Sequence, residues 1–182
     1  MDPEELVARA RDLYVEQFVA FAAGQKRAAP TGVAEVKLKL GPASVVYQHF
    51  YCVDFVRQQD GKPKIIELQP ERALTFAPIV STAAETELRF DALRWNDVVL
   101  RHDLSRLPGD AIAAWFQRWF DPDDERHVAD AETGNVIHSL VLAAGRANID
   151  FGTAEAEAFW NLLEVLISAG AARIRIGDST PA

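Results

Sequence analysis

The chain has 182 residues, which is the size of one ordinary domain. Hydrophobic residues make up 49% and charged residues 25% of it, so the composition excludes a disordered, collagenous or mucin-like protein. We therefore expect a single domain over residues 1–182, with a possible subdivision near 104–135.

The charge balance argues against polyanionic partners. The 27 acidic residues exceed the 19 basic residues, and the formal net charge is −8. Such a charge opposes the counterion release on which binding to nucleic acid or to an anionic membrane depends. No basic stripe runs along the sequence, so we expect neither a nucleic-acid partner nor a membrane partner.

The N-terminal residues and the cysteine content both favour a cytoplasmic protein. The segment Met1-Asp2-Pro3-Glu4-Glu5 is acidic where an export signal would be basic. Cys52 is the single cysteine, so no disulfide can form within the chain. Cytoplasmic is therefore the expected location, and no cofactor is expected.

The first part of the chain predicts one helix followed by strands. Asp2, Pro3 and Glu5 mark the start of a helix over 3–23, which is expected to end at Gly24. Alternating polar and apolar residues predict a strand over 33–40, and Asp60-Gly61 predicts a tight hairpin. Further strands are expected over 45–57, 64–68, 85–92 and 97–103. The segment 85–92 has a helical alternative, because Thr82 and Glu85 could form a capping box.

The second part predicts two helices and three short strands. Helix 108–120 has an apolar face of five large residues, Ile112, Trp115, Phe116, Trp119 and Phe120. Strands are expected over 136–142, 148–151 and 172–176, and a helix capped by Thr153 is expected over 153–169. The last strand-helix-strand unit could make its two strands parallel. The whole pattern predicts an α+β fold, with about three helices on one face of a mainly antiparallel sheet.

An acidic loop after the predicted helix 108–120 resembles a calcium-binding loop in its spacing. Asp121, Asp123, Glu125 and Glu132 occupy its positions 1, 3, 5 and 12. Arg126 replaces the glycine that the loop requires at position 6, and strand-like residues follow where a second helix should begin. A solvated acidic loop is therefore preferred, and these four residues remain a weak calcium candidate.

Two groups of side chains are candidates for binding. Within the predicted strand 45–57, Tyr47, His49 and Tyr51 share one face and could line a pocket with His102. A Cys52 nucleophile would need His102, His127 or His138 brought close by the fold, and no catalytic residue is predicted. The aromatic helix could instead leave Trp115 and Trp119 exposed as anchors of a subunit contact.

No catalytic motif is recognisable, so the sequence favours a protein that is not an enzyme. The preferred function is a protein-interaction or regulatory module that forms a homodimer or binds another protein. The alternative is a small-molecule-binding protein or hydrolase with a pocket around Tyr47, His49 and Tyr51.

Overall fold

The computed structural model of the chain describes residues 1–126, 128 and 131–180. Over these residues the fold is α+β, with three helices and two mostly antiparallel sheets, as the sequence predicts. The helices are α1 (Pro3–Ala28), α2 (Gly109–Phe120) and α3 (Ala156–Ser168). The strands are β1 (Val33–Lys39), β2 (Phe50–Gln59), β3 (Lys62–Ile66), β4 (Ile79–Ala83), β5 (Thr86–Phe90), β6 (Val98–His102), β7 (Ser139–Ala143), β8 (Arg146–Asp150) and β9 (Arg173–Gly177).

The helix ends agree with the sequence signals in part. Asp2 caps α1, because its carboxylate accepts the backbone N–H of Glu5 at 2.8 Å. The helix passes through Gly24 and ends four residues later, since one internal glycine costs only about 1 kcal/mol. The prediction that Thr153 caps α3 is wrong. The helix begins at Ala156, and Thr153 is fully buried with its hydroxyl bonded elsewhere.

The first sheet has the order β1-β2-β3 and is antiparallel. The predicted hairpin joins β2 to β3, with Asp60 at φ 53° and Gly61 at φ 73°, as a type I′ turn requires. The predicted strand 45–57 is wrong in its first part. A short 3-10 turn occupies Tyr47–His49, in which Gln48 and His49 have positive φ angles that an extended strand does not allow, and β2 begins at Phe50.

The second sheet has six strands in the order β4-β5-β9-β6-β8-β7. The β5–β9 pair is parallel and the other pairs are antiparallel. The segment 85–92 contains β5, so the strand prediction is confirmed and its helical alternative is wrong. Strands β8 and β9 run in the same direction, as the strand-helix-strand pattern suggests, but β6 lies between them. The strands expected in one sheet are therefore divided between two.

The helices α2 and α3 join the two sheets through aromatic contacts. Phe159 of α3 packs against Phe90 of the six-stranded sheet, with ring centroids 6.2 Å apart. Phe120 of α2 packs against Phe50 of the three-stranded sheet at 5.4 Å. The indole N–H of Trp115 donates to the carbonyl of Ala158 at 2.9 Å and connects the two helices. In the described part of the chain, every helix lacks the combination of length and hydropathy that a membrane crossing requires.

Candidate functional site

A buried histidine lies between two carboxylates at the junction of the two sheets. His138, directly before β7, is only 1% exposed. Its Nε2 lies 3.1 Å from Oε1 of Glu35, and its Nδ1 lies 3.0 Å from Oδ1 of Asp54. The second contact lacks the alignment of a hydrogen bond, so it is a pairing of charges. We call Glu35, Asp54, His138 and Thr153 the buried network.

The two carboxylates belong to neighbouring strands and face each other. Glu35 on β1 and Asp54 on β2 both lie between the paired positions Ala34↔Phe55 and Val36↔Val53. Glu35 has φ 50°, a left-handed conformation that costs a non-glycine residue of the order of 1 kcal/mol or more. This distortion interrupts β1 at the point where the carboxylate meets His138.

Further hydrogen bonds fix each carboxylate. Oε1 of Glu35 accepts the hydroxyl of Thr153 at 2.5 Å, and Oε2 accepts the backbone N–H of Gly134 at 2.5 Å. Oδ2 of Asp54 accepts the backbone N–H of Leu68 at 2.6 Å. The buried carboxylate oxygens of Glu35 and Asp54 therefore have hydrogen-bond donors in place of the water that burial removes.

The backbone around His138 is held by β2 and β8. The carbonyl of His138 accepts the N–H of Cys52 at 2.8 Å, and its own N–H donates to the carbonyl of Asp150 at 2.9 Å. Gly152 lies against the imidazole with φ 49°, and a Cβ there would be 2.2 Å from Cδ2 of the ring. Only glycine fits at this position, because any other side chain would displace the histidine.

The protonation states follow from burial and from these contacts. Burial by itself lowers the pKa of His138, but Cys52, Asp54 and Glu35 raise it well above the ordinary histidine value. Burial raises the pKa of Glu35, yet the bonds and charge of His138, with the bond from Thr153, bring it below its usual value. The site therefore holds an imidazolium beside an ionised Glu35. Burial raises the pKa of the adjacent Asp150 to about 7.

A cavity of about 590 Å³ adjoins Glu35, and we call it the Glu35 cavity. It is bounded by the second half of α1, by β1 and by residues 121, 124, 126, 128 and 131–136. Its apolar walls include Ala22, Val33 and Val136, and Lys26 also lines it. Asp54 and His138 do not line the cavity, so Glu35 connects the network to it. The volume falls within the range of about 300–1,000 Å³ that is typical of small-molecule sites.

The structure separates the predicted pocket residues. Tyr47 and His49 belong to the 3-10 turn, and Tyr51 is on β2, so the three do not share one strand face. The ring of Tyr47 packs edge-on against Phe116 at 5.1 Å, and the hydroxyl of Tyr51 donates to Glu67. His102 belongs to the other sheet. The cause is the left-handed turn before β2, which ends the expected alternation.

The fold brings Cys52 and His138 together, as a thiol nucleophile would need. The thiol is nevertheless fully buried, and burial raises its pKa to about 12. A protonated and inaccessible thiol is a poor nucleophile. His102 is also buried, which lowers its pKa, and neither of its ring nitrogens has a hydrogen-bond partner in the described part of the chain.

The acidic loop uses its first residue to hold its own backbone. Asp121 ends α2 with φ 53°, and its carboxylate accepts the N–H groups of Glu125 and Arg126, both at 3.0 Å. No group of three or more His, Cys, Asp or Glu side chains among residues 1–126, 128 and 131–180 is placed to hold a metal ion. The candidate ligands Asp121, Asp123, Glu125 and Glu132 thus do not converge in this part of the structure. His127 and Asp130 lie outside the described residues.

The aromatic face of α2 belongs mainly to the core. Trp115 and Trp119 are 4% and 3% exposed. Both also line a groove of about 700 Å³ between α2 and α3, with Val165 and Ala169 on its other side. A subunit contact through the two tryptophans stays a prediction.

The sequence contains weak signals for the network that its periodicity does not explain. Asp54 interrupts the apolar run Cys52-Val53-Asp54-Phe55-Val56, and His138 lies within the largely apolar segment Val136-Ile137-His138-Ser139-Leu140-Val141. A titratable residue inside a run of this kind indicates a buried, paired group, because an isolated buried charge is very costly. Glu35 carries no such signal, since it occupies a polar position of an alternating strand.

Comparisons of the chain with protein-family models, with curated proteins and with solved structures found no match.

Proposed function

We propose that the protein binds a small molecule in the Glu35 cavity, and that Glu35 accepts a hydrogen bond from a positively charged group of this ligand. The observation that carries the proposal is an ionised, 8% exposed carboxylate in the wall of a cavity of about 590 Å³. A few placed polar groups among apolar walls are typical of ligand sites.

The cost of the buried network supports a functional role. Replacing buried ion pairs by apolar residues is often neutral or stabilising, so such pairs are weak evidence for a contribution to stability. The left-handed conformation of Glu35 adds a further cost, and backbone strain of this kind clusters at functional sites. The fold keeps both features next to a cavity, where they position one carboxylate.

The cavity surroundings favour an amine with an apolar body. Four carboxylates line the cavity against three cations, and two of these cations, Lys37 and Arg126, already have partners. Lys37 pairs with Asp124 at 2.5 Å, and Arg126 donates to the carbonyl of Asn135 at 3.4 Å. Glu35 accepts three hydrogen bonds, and a carboxylate has about four acceptor positions. One position is therefore left for a donor from the cavity, while Val33 and Ala22 offer apolar contacts.

The proposal concerns binding rather than catalysis. Thr153 supplies the hydroxyl that bonds to Glu35, Cys52 is the single cysteine, and both residues are fully buried. Neither can reach a substrate in the Glu35 cavity without rearrangement of the core.

Native mass spectrometry of the purified protein is the first test. A monomer that retains a small ligand supports the proposal. As a defined probe, 2-phenylethylamine should raise the melting temperature, whereas the neutral 2-phenylethanol should not.

A matched pair of variants localises this effect. Ala23→Trp places a large side chain on the cavity wall, and Ala20→Trp places it at an exposed position of α1 that does not line the cavity. Stabilisation by the amine should disappear in the first variant and persist in the second. Equal stabilisation of both variants, or no response to the amine together with no retained ligand, would contradict the proposal.

A protein-interaction role, with a homodimer as the simplest form, is a second proposal. The groove between α2 and α3 supports it, because Trp115, Trp119 and Val165 give that groove a partly apolar lining. The same mass spectrum tests this role. A dimer mass without a ligand supports it, and a monomer at all accessible concentrations argues against it.

A further inference from the structure

A row of four arginines crosses the six-stranded sheet. In the strand register, Arg89 of β5 pairs with Arg175 of β9, Arg175 pairs with Arg101 of β6, and Arg101 pairs with Arg146 of β8. Neighbouring strands lie about 4.8 Å apart, so the row extends for about 14 Å. We call these four residues the arginine row.

The arginine row lies on the face of the sheet opposite to the core. Directly paired residues project to one face, and their neighbours along each strand project to the other. The neighbours Leu100, Ile174 and Ile176 are buried, whereas Arg101 and Arg175 are exposed. The guanidinium groups are therefore accessible from solvent.

The row has little internal compensation for its charge. Asp91 pairs with Arg89 at 2.9 Å and also with Arg175. Arg146 donates to the neutral side chain of Asn148, and Arg101 has no ion pair among the described residues. The guanidinium of Arg101 instead lies near the backbone of β9. Its Nη1 is 3.6 Å from the position that a Cβ on Gly177 would occupy.

A shallow depression of about 290 Å³ lies over part of the row. Its lining includes Arg89, Arg101 and Arg175, together with Arg173 and its neighbour Asp103, which are 3.6 Å apart. The four arginines of the row and Arg173 share this face with three carboxylates, Glu87, Asp91 and Asp103, so about two positive charges remain. Like charges placed directly opposite each other on a sheet are destabilising. A positive patch of this kind, in a chain whose net charge is −8, therefore needs an explanation other than stability.

We propose that the arginine row binds the phosphate group of a small phosphate monoester, seated over Arg101 and Arg175. A phosphate monoester carries a charge of about −1.5 to −2 at neutral pH and three strong acceptor oxygens. That charge matches the remaining positive charge, and guanidinium groups bind phosphate through paired N–H donors. Asp91 already shows that one anionic group can bridge two neighbouring arginines of the row.

The test is titration calorimetry at low salt with phenyl phosphate as the probe. Arg101→Gln should weaken binding at least about tenfold, because a charge-assisted contact is lost. Arg9→Gln changes an exposed arginine of α1 outside the row and should leave binding unchanged. Equal binding by wild type and Arg101→Gln, or equal losses in both variants, would overturn the proposal.

Thermal melting separates this role from a structural one. Without phosphate, Arg101→Gln should melt at the same temperature as wild type or higher, because it relieves repulsion within the row. Phenyl phosphate should raise the melting temperature of the wild-type protein, and it should raise that of Arg101→Gln by less. A lower melting temperature of Arg101→Gln without phosphate, together with unchanged affinity, would mean that the row is structural.

Two further probes identify the source of the phosphate. Inorganic phosphate should bind more weakly than phenyl phosphate, and equal affinity would identify the free ion as the ligand. A single-stranded oligonucleotide should not compete, because the net charge of the chain repels a polyanion. Tight oligonucleotide binding that is lost in Arg101→Gln would overturn the monoester in favour of nucleic acid.

Discussion

Replacing His138 by glutamine should be strongly destabilising. The substitution removes the cation that faces both Glu35 and Asp54, at 3.1 and 3.0 Å, while keeping a polar side chain of similar size. Removing one partner of a buried ion pair costs about 3–5 kcal/mol, because the remaining charge is buried without compensation. We expect a loss of this size in the free energy of unfolding at pH 7, measured by urea denaturation.

The pH dependence of stability identifies the charge on His138 as the cause. A histidine whose pKa is raised by folding stabilises the native state fully below its unfolded pKa of about 6.5. That contribution decreases as the pH rises towards the folded pKa, at about 1.4 kcal/mol per pH unit. Between pH 7 and pH 8.5 the stability of the wild-type protein should therefore fall as the pH rises, and that of His138→Gln should fall far less.

Neighbouring groups titrate mostly outside this interval. Asp150, with a pKa raised to about 7, contributes stability that is lost as the pH rises from about 4 to 7. Cys52, with a pKa raised to about 12, contributes a loss mainly above pH 9.

His102→Gln is the matched control. Burial lowers the pKa of His102, so its titration changes the free energy of unfolding only at acidic pH. It should keep the wild-type slope. A flat wild-type profile between pH 7 and 8.5, or the same slope in His138→Gln, would refute the reasoning.

Three further predictions concern single features. Gly152→Ala should lower the free energy of unfolding by more than about 2 kcal/mol, because its Cβ would overlap the buried imidazole, whereas Gly109→Ala, which has open space, should change it little. Cys52 should resist a thiol reagent in native buffer and react fully in denaturant, since burial raises its pKa to about 12; rapid native labelling would contradict this. Millimolar calcium should leave the melting temperature unchanged, and a calcium-dependent rise that Asp121→Ala with Glu132→Ala abolishes would contradict this.

Local signals predict the elements of this fold well. The alternation in β1 and β5, the cap at Asp2 and the hairpin at Asp60-Gly61 all depend on residues close in sequence. The division into two sheets depends on which distant strands pair, and local periodicity carries little information about that. The 3-10 turn at Tyr47–His49 is not predictable in this way, because it contains non-glycine residues with a left-handed backbone, which sequence patterns rarely reveal.

The arginine row shows the same limit on the surface. Arg89, Arg101, Arg146 and Arg175 are separated by at least 12 residues, so no basic stripe is visible along the chain. The strand register alone aligns them. A charge count over sequence segments therefore predicts the net charge correctly and misses the local patch.

The buried network and the Glu35 cavity are linked through a single side chain. Oε1 of Glu35 faces His138 at 3.1 Å, and Oε2 accepts the N–H of Gly134, a residue of the cavity wall. A cation that binds Glu35 from the cavity would repel the imidazolium behind it, so ligand binding and protonation of His138 must oppose each other. Thermodynamic reciprocity makes the two effects equal in size: the factor by which a bound cationic ligand lowers the proton affinity of His138 is the factor by which deprotonation of His138 strengthens binding of that ligand. Raising the pH far enough to deprotonate His138 should therefore strengthen binding. This coupling gives the costly buried histidine a physical role that packing alone does not require.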